Sequence, residues 1–190
     1  MSLMSHLLTV SELATMIYCA ANDLGGYPKF IARGYNTDYL PVWLQNAGYN
    51  TYYTGKLFNS HTIENYNKPV AGGFTGSDFL LDPYTYQYYN SYLSRNGGEP
   101  ASYAGQYSPD VIAEKAFGFL NDAISDEKPF FLAIAPIAPH SDVVMGKLQF
   151  SQPKYAPRHA HLFKDYKIPR TKNFNPDKVR LSWYLVLFSD

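Results

Sequence analysis

The sequence predicts an α/β fold in which at least part of the sheet is parallel, and three segments carry that prediction. Tyr49-Asn-Thr-Tyr-Tyr-Thr54 has the β-branched and aromatic content of a strand and ends at Gly55-Lys56. A helix opens at Ser108-Pro-Asp110, and its residues Ile112, Ala116, Phe119, Leu120 and Ala123 share one apolar stripe. Phe130-Phe-Leu-Ala-Ile-Ala135 is an unbroken apolar run, the pattern of a strand buried on both faces. Strand, loop, helix, strand in that order is a βαβ unit, because a helical crossover returns the chain to the end of the sheet from which it started.

The remaining elements follow in order. Leu7, Val10, Leu13, Ala14 and Ile17 have helical spacing within residues 3–20, and the turn-rich Asn22-Asp-Leu-Gly-Gly-Tyr-Pro28 follows. A helix from Asp38 to Ala47 has Thr37 as its expected N-cap, Pro41 in its first turn and Gly48 as its stop. Residues 57–107 read as loops and short strands. Within them Phe79-Leu-Leu81 and Tyr84–Tyr89 form an expected hairpin or bent strand around Asp82-Pro83. Ser108 is the expected N-cap of the longest helix, Pro109 takes the first helical position, and Asp110 suits the positive end of the dipole. Asp126-Glu-Lys-Pro129 ends it. After residue 141 the pattern dissolves, with Pro153, Pro157, Pro169 and Pro176 spaced through an extended basic segment.

Composition bounds the function. The 190 residues carry 16 Lys+Arg against 16 Asp+Glu, so net charge supplies no general attraction to nucleic acid or an anionic membrane. The total hides an asymmetry: residues 1–145 hold 7 basic and 13 acidic side chains, whereas residues 146–190 hold 9 and 3. A basic strap laid over an acidic body, or a basic surface that meets an anionic substrate, accounts for that split. A single cysteine, Cys19, excludes an internal disulfide framework and a cysteine-based zinc finger. Leu181–Phe188 is apolar but far shorter than the ~20 residues a membrane helix needs. The first ten residues lack the basic start and apolar core of a secretory signal.

Chemistry is expected where strands end, since sites in open α/β sheets lie at the carboxyl edge. Gly55-Lys56 projects a cation there, and Ala135-Pro-Ile-Ala-Pro-His140 delivers an imidazole from a stiffened exit. Together they suit an anionic ester: lysine neutralises peripheral oxygens, and histidine gives a proton to the leaving oxygen. Each also has an ordinary reading, as a surface charge and as a loop hydrogen-bonder. His159-Ala-His161 has the spacing of a metal pair but no evident third ligand. Seven tyrosines between Tyr84 and Tyr107 could stack on sugar rings or pack a core. Gly72-Gly-Phe-Thr-Gly76 is no phosphate loop, and Cys19 has no basic neighbour to activate it.

Several separated runs resemble the sulfatase family. They are Gly25-Gly-Tyr-Pro-Lys-Phe30, Tyr39 through Asn59, Asp78-Phe-Leu-Leu-Asp-Pro-Tyr-Thr-Tyr86, Ala135 through His140, and Ala156-Pro-Arg-His-Ala-His-Leu-Phe163 through Asp177. The similarity is strongest to the fungal arylsulfatase and N-acetylglucosamine-6-sulfatase-like branch. It divides the chain into a non-matching segment 1–24, a partial catalytic domain 25–178 and a non-matching tail 179–190. It implies part of an alkaline-phosphatase-like fold, a mixed and mostly parallel sheet flanked by helices.

The resemblance also implies an activity, hydrolysis of sulfate monoesters of aryl or sugar substrates, and hence a sulfate ester or sulfated glycan as partner, with no nucleic acid or membrane. It maps sulfate contacts onto Lys56 and His140, and assigns His61 a third place because Phe58 stands where the family has a histidine. Intact members use a formylglycine made from Cys-x-Pro-Ser-Arg, assisted by calcium held on Asp and Asn side chains, and usually enter the secretory pathway. Here Cys19 stands in Tyr18-Cys-Ala-Ala-Asn22, the N-terminal acidic metal pair is missing, and the later Asp-Asn metal pair is expected beyond residue 190. The expectation is therefore a chain that holds sulfate without turning it over. The competing expectation is a noncatalytic domain that binds sulfated carbohydrate or other anions through its basic strap.

Overall fold

A computed structural model describes residues 25–144, 149–172 and 174. The expected helix over residues 3–20, Cys19 and the segment 179–190 lie outside the described residues. The chain divides into two compact units, one ending at Lys154 and one beginning at Tyr155.

The first unit is built on a five-stranded sheet. Its elements are α1 (Gly26–Ala32), α2 (Leu40–Asn46), β1 (Asn50–Gly55), β2 (Gly76–Leu80), β3 (Tyr92–Arg95), β4 (Ala101–Ser102), α3 (Ser108–Ile124) and β5 (Phe130–Ala135). The strand order is β4-β3-β2-β1-β5. β1 runs parallel to both β2 and β5, with Asn50 opposite Phe130 and Gly55 opposite Ala135. β3 and β4 are antiparallel additions. The sheet is thus mixed, with the βαβ unit of β1, α3 and β5 at one side. A separate hairpin, β6 (Asp142–Val144) with β7 (Gln149–Ser151), follows β5.

Alternation along β1 sends successive tyrosines to opposite faces. Tyr53 packs with Phe79 into a cluster that also buries Tyr27, Phe30 and Leu81. Tyr52 packs instead on Phe119 and Ala123 of α3, together with Leu132 of β5. A third cluster joins Leu80, Tyr88, Leu93, Val111, Ile112 and Ile137. These clusters sandwich the sheet, and the third fixes the loop that leaves β5.

Four local expectations are corrected. Tyr107, not Ser108, occupies the cap position of α3, and its carbonyl accepts from the Asp110 and Val111 amides at 2.9 and 3.2 Å. Tyr39, not Thr37, precedes α2, because residues 35–37 form a short 3-10 turn of their own. Tyr84–Tyr89 is a run of turns, and β2 pairs instead with Tyr92–Arg95. Finally, β5 is not buried on both faces: Phe130 and Ile134 are 40% and 53% exposed. The reason is its place at the edge: no strand among the described residues pairs beyond it, and α3 packs on Leu132 without covering Phe130 and Ile134 on the same face.

The second unit is a 3-10 turn at Pro157–His159 followed by turns and extended chain. Phe163 sits edge-on to Tyr166 at 6.0 Å, and the Arg170 guanidinium lies 5.2 Å from the Phe174 ring. Leu162, Phe163, Tyr166 and Ile168 are all exposed.

Candidate functional site

The carboxyl ends of β1 and β5 are clasped together. Gly55 has φ +115°, and a Cβ there would stand 2.0 Å from the Ala135 carbonyl oxygen, so the strands meet at this point only because residue 55 is glycine. The next amide, Lys56, donates to that carbonyl at 2.9 Å. The Tyr53 hydroxyl donates to the Lys56 carbonyl at 2.5 Å. With its backbone held on both sides, the Lys56 side chain leaves the sheet at a fixed place.

His140 arrives from the other strand. Ile137, buried in the third cluster, anchors the exit of β5, and the His140 amide donates back to the Ile137 carbonyl at 2.8 Å. The Tyr88 hydroxyl donates to the His140 carbonyl at 2.7 Å. The ring Nδ1 lies 2.9 Å from the Ser141 carbonyl oxygen. A carbonyl can only accept, so this bond requires a proton on Nδ1 and leaves Nε2 to face a ligand. The imidazole itself is exposed.

Tyr86 joins the two. The Lys56 Nζ lies 4.4 Å from the centre of the Tyr86 ring and donates a hydrogen bond to its hydroxyl. The His140 ring packs on the same tyrosine at 4.4 Å between centroids, inclined by 33°. The Tyr86 hydroxyl in turn donates to Asn59 Oδ1 at 3.0 Å. β6 clamps the segment: the Val143 amide donates to the Tyr86 carbonyl at 3.1 Å, and Asp142 Oδ1 accepts from the Tyr88 amide at 3.2 Å. Asp142 is itself held by Lys154, Nζ to Oδ2 at 2.5 Å.

Burial sets the electrostatics. It lowers the Lys56 pKa from its ordinary value, and the negative charge of Asp82 partly offsets the effect. Asp82 is pushed up by the same desolvation, against smaller opposing pulls from Thr85, Ser60 and Lys56. Its Oδ2 accepts from the Ser60 amide at 2.8 Å, whereas Oδ1 is buried without a partner of full hydrogen-bond geometry, and Thr85 is the largest of the pulls that oppose desolvation. The Tyr86 hydroxyl is pushed up to about 12, chiefly by burial and then by Asp82, and stays protonated at neutral pH. A half-desolvated ammonium beside an exposed imidazole is a place for an anion.

His61 is placed differently. Its ring is fully buried, stacked on Tyr27 at 4.0 Å and 5.4 Å from Phe79. Burial holds its pKa down at about 4. Neither ring nitrogen has a hydrogen-bond partner of full geometry, and the Tyr66 backbone opposes the shift by less than burial drives it. The structure therefore brings Lys56 and His140 together on Tyr86 and sets His61 in the aromatic core on Tyr27 and Phe79. Tyr86, Asn59 and Asp82 went unassigned in the sequence. Their signal was present in the runs Lys56–Asn59 and Asp82–Tyr86, each of which ends on a site residue.

Among the described residues no group of three His, Cys, Asp or Glu could hold a metal ion. Asp82, with one oxygen on the Ser60 amide and a lysine nearby, does not fit a dication on its own. The tyrosines are mostly spent on one another. Tyr84 stacks on Tyr92 at 4.3 Å, while Tyr88 and Tyr89 pack on Tyr107 at 5.9 and 5.4 Å.

A sequence model of the Sulfatase family matches residues 5–187. The chain belongs to the sulfatase family. An arylsulfatase of Volvox carteri is 45% identical over 153 residues, which is 76% of this chain and 23% of that protein. An arylsulfatase of Chlamydomonas reinhardtii is 39% identical over the same shares. The human N-acetylglucosamine-6-sulfatase is 34% identical over 73% of this chain and 24% of its own length. Among solved structures, a protein in complex with its substrate D-glucosamine-2-N,6-O-disulfate matches with a TM-score of 0.50 and 27% identity. That match covers 73% of this chain and 24% of the other. The architecture is that of the sulfatases, a mostly parallel sheet between helices, and this chain spans about a quarter of the length of the relatives it matches.

Proposed function

We propose that Lys56 and His140 are the sulfate-contacting residues of a sulfuric ester hydrolase whose substrates are sulfate monoesters of aryl groups or sugars. The observation that carries this reading is their convergence on Tyr86 at the carboxyl ends of two adjacent parallel strands. Lys56 would neutralise a sulfate oxygen from a site where partial desolvation strengthens the attraction. His140, as the imidazolium with Nδ1–H on Ser141, would donate through Nε2–H to a second oxygen or protonate the leaving one. Membership of the family and the sulfated sugar bound by the structural neighbour support the substrate class.

Turnover needs more than these two groups. Within this chain Cys19 lies in Tyr18-Cys-Ala-Ala-Asn22, a context unlike the formylglycine motif, so the covalent route has no nucleophile here. Calcium would assist the intact reaction, but we assign it no ligand among the described residues. His61, the third residue assigned from the resemblance, would reach a ligand only by leaving the Tyr27 and Phe79 cluster. The 190-residue chain is thus expected to bind sulfate and a sulfated monosaccharide without hydrolysing an aryl sulfate, calcium present or not. Alanine at Lys56 or His140 should abolish that binding. Measurable release of phenol by the purified chain would contradict the account of turnover.

A second reading has one observation in its favour. The basic segment beyond residue 146 exposes Phe163 and Tyr166 among Lys164, Lys167 and Arg170, as a noncatalytic surface for sulfated carbohydrate would. Glycan binding that survives both alanine substitutions would favour it.

A further inference from the structure

We infer that Tyr86 is a third ligand contact of the anion site, its hydroxyl supplying the hydrogen bond that the resemblance assigns to a histidine and that His61, buried elsewhere, does not supply. The inference deepens the sulfate-binding reading and rests on it. Three observations carry it.

Tyr86 is first the only side chain among the described residues shown in contact with both Lys56 and His140. A sulfate that touches the ammonium and the imidazole lies within reach of the group between them. Second, the hydroxyl is already in a polar chain: it accepts from the Lys56 ammonium and donates to Asn59 Oδ1. Lysine has three N–H donors, so it can keep the tyrosine and still hold a sulfate oxygen. Exchanging the neutral Asn59 acceptor for an anionic sulfate oxygen would turn the phenol's hydrogen bond into a stronger, charge-assisted one. Third, the residue is held in place. β6 takes the Tyr86 carbonyl, and Tyr88 two residues later bonds both His140 and Asp142. The neighbouring tyrosines do not share this placement, being engaged with Tyr92 and Tyr107. The elevated phenol pKa keeps the donor proton in place across the neutral range.

The His140 ring packs against Tyr86 and the Lys56 ammonium bonds its hydroxyl, so the contact inferred for the anion is with that hydroxyl.

The test uses the full 190-residue chain and inorganic sulfate, followed by NMR of labelled histidine and of tyrosine labelled at Cζ. In the wild type the His140 and Tyr86 signals should move together, with one midpoint. In Tyr86→Phe, which keeps the ring and its packing, the His140 midpoint should rise roughly tenfold. A wild-type response at His140 with Tyr86 Cζ stationary, and the same midpoint in Tyr86→Phe, would overturn the inference while leaving the sulfate site intact. No response at His140 in the wild type would overturn the sulfate-binding reading, and the inference with it.

Discussion

Gly55→Ala is the substitution that most sharply probes how the sheet builds its site. Residue 55 has φ +115°, a conformation that costs an L-residue about 1–3 kcal/mol. The new Cβ would stand 2.0 Å from the Ala135 oxygen and 2.5 Å from its carbon, more than an ångström inside ordinary contact. Both atoms belong to the backbone of β5, so no side chain can turn aside. The strands must part at their carboxyl ends, and the bond from the Lys56 amide to Ala135, worth about 1 kcal/mol net, goes with them. Together these predict a loss of about 3 kcal/mol. With a urea slope of about 2 kcal/mol/M, the unfolding midpoint should fall by about 1.5 M. Gly48→Ala is the matched control, since residue 48 has φ +91° but nothing within 4 Å of its Cβ. It should show the strain without the clash and keep sulfate affinity, whereas Gly55→Ala should weaken sulfate binding even where folded, by separating Lys56 from His140. Equal midpoints for the two variants, with equal sulfate affinity, would refute the clasp.

Three further outcomes follow from the same structure. His61 titrates near 4 when folded and near 6.5 when unfolded, so the unfolded chain takes up the proton first and stability falls as the pH drops through that window. The loss should approach about 3 kcal/mol at pH 4, and His61→Phe, which suits the Tyr27 and Phe79 cluster, should remove that part of the pH dependence in urea titrations at pH 7 and pH 4. Ile134→Thr on the exposed edge strand should change stability by no more than about 0.5 kcal/mol, whereas Leu80→Ala in the core should cost about 2–5 kcal/mol in the same denaturant assay. Asp82→Asn removes a negative charge that acts on Lys56 while keeping an acceptor for Ser60, so sulfate affinity measured by calorimetry should rise several-fold at low salt and less at high salt.

Much of this architecture is readable from local chemistry. Pro109 and Asp110 mark the start of α3, and Val111, Ile112, Ala116, Phe119 and Ala123 form its buried stripe, with Leu120 only half covered. The strand β1 and its parallel pairing with β5 follow from composition and order. Burial of β5 does not, because an apolar run reports what a strand would bury and not which neighbours are there to bury it. β3, the partner of β2, was hidden by the tyrosine-rich turns at 84–89, although Asn96-Gly97 directly after it carried the signal of the turn from β3 to β4. Both residues have positive φ, 52° and 73°, and the Gly98 amide closes the turn on Arg95 at 2.8 Å, as a tight hairpin turn requires. Lys56 and His140 were legible as strand-end residues. Tyr86 was not, since its place between them depends on a contact 54 residues apart in sequence that only the fold creates.

Diffraction from crystals soaked in selenate, a tetrahedral oxyanion with an anomalous signal, would test the central assignment most directly. A selenium peak at the carboxyl ends of β1 and β5, with oxygens within hydrogen-bond distance of Lys56 Nζ and the His140 ring, is the predicted result. Selenate found only along the basic segment after Lys154, with Lys56 still paired to Tyr86 alone, would contradict it.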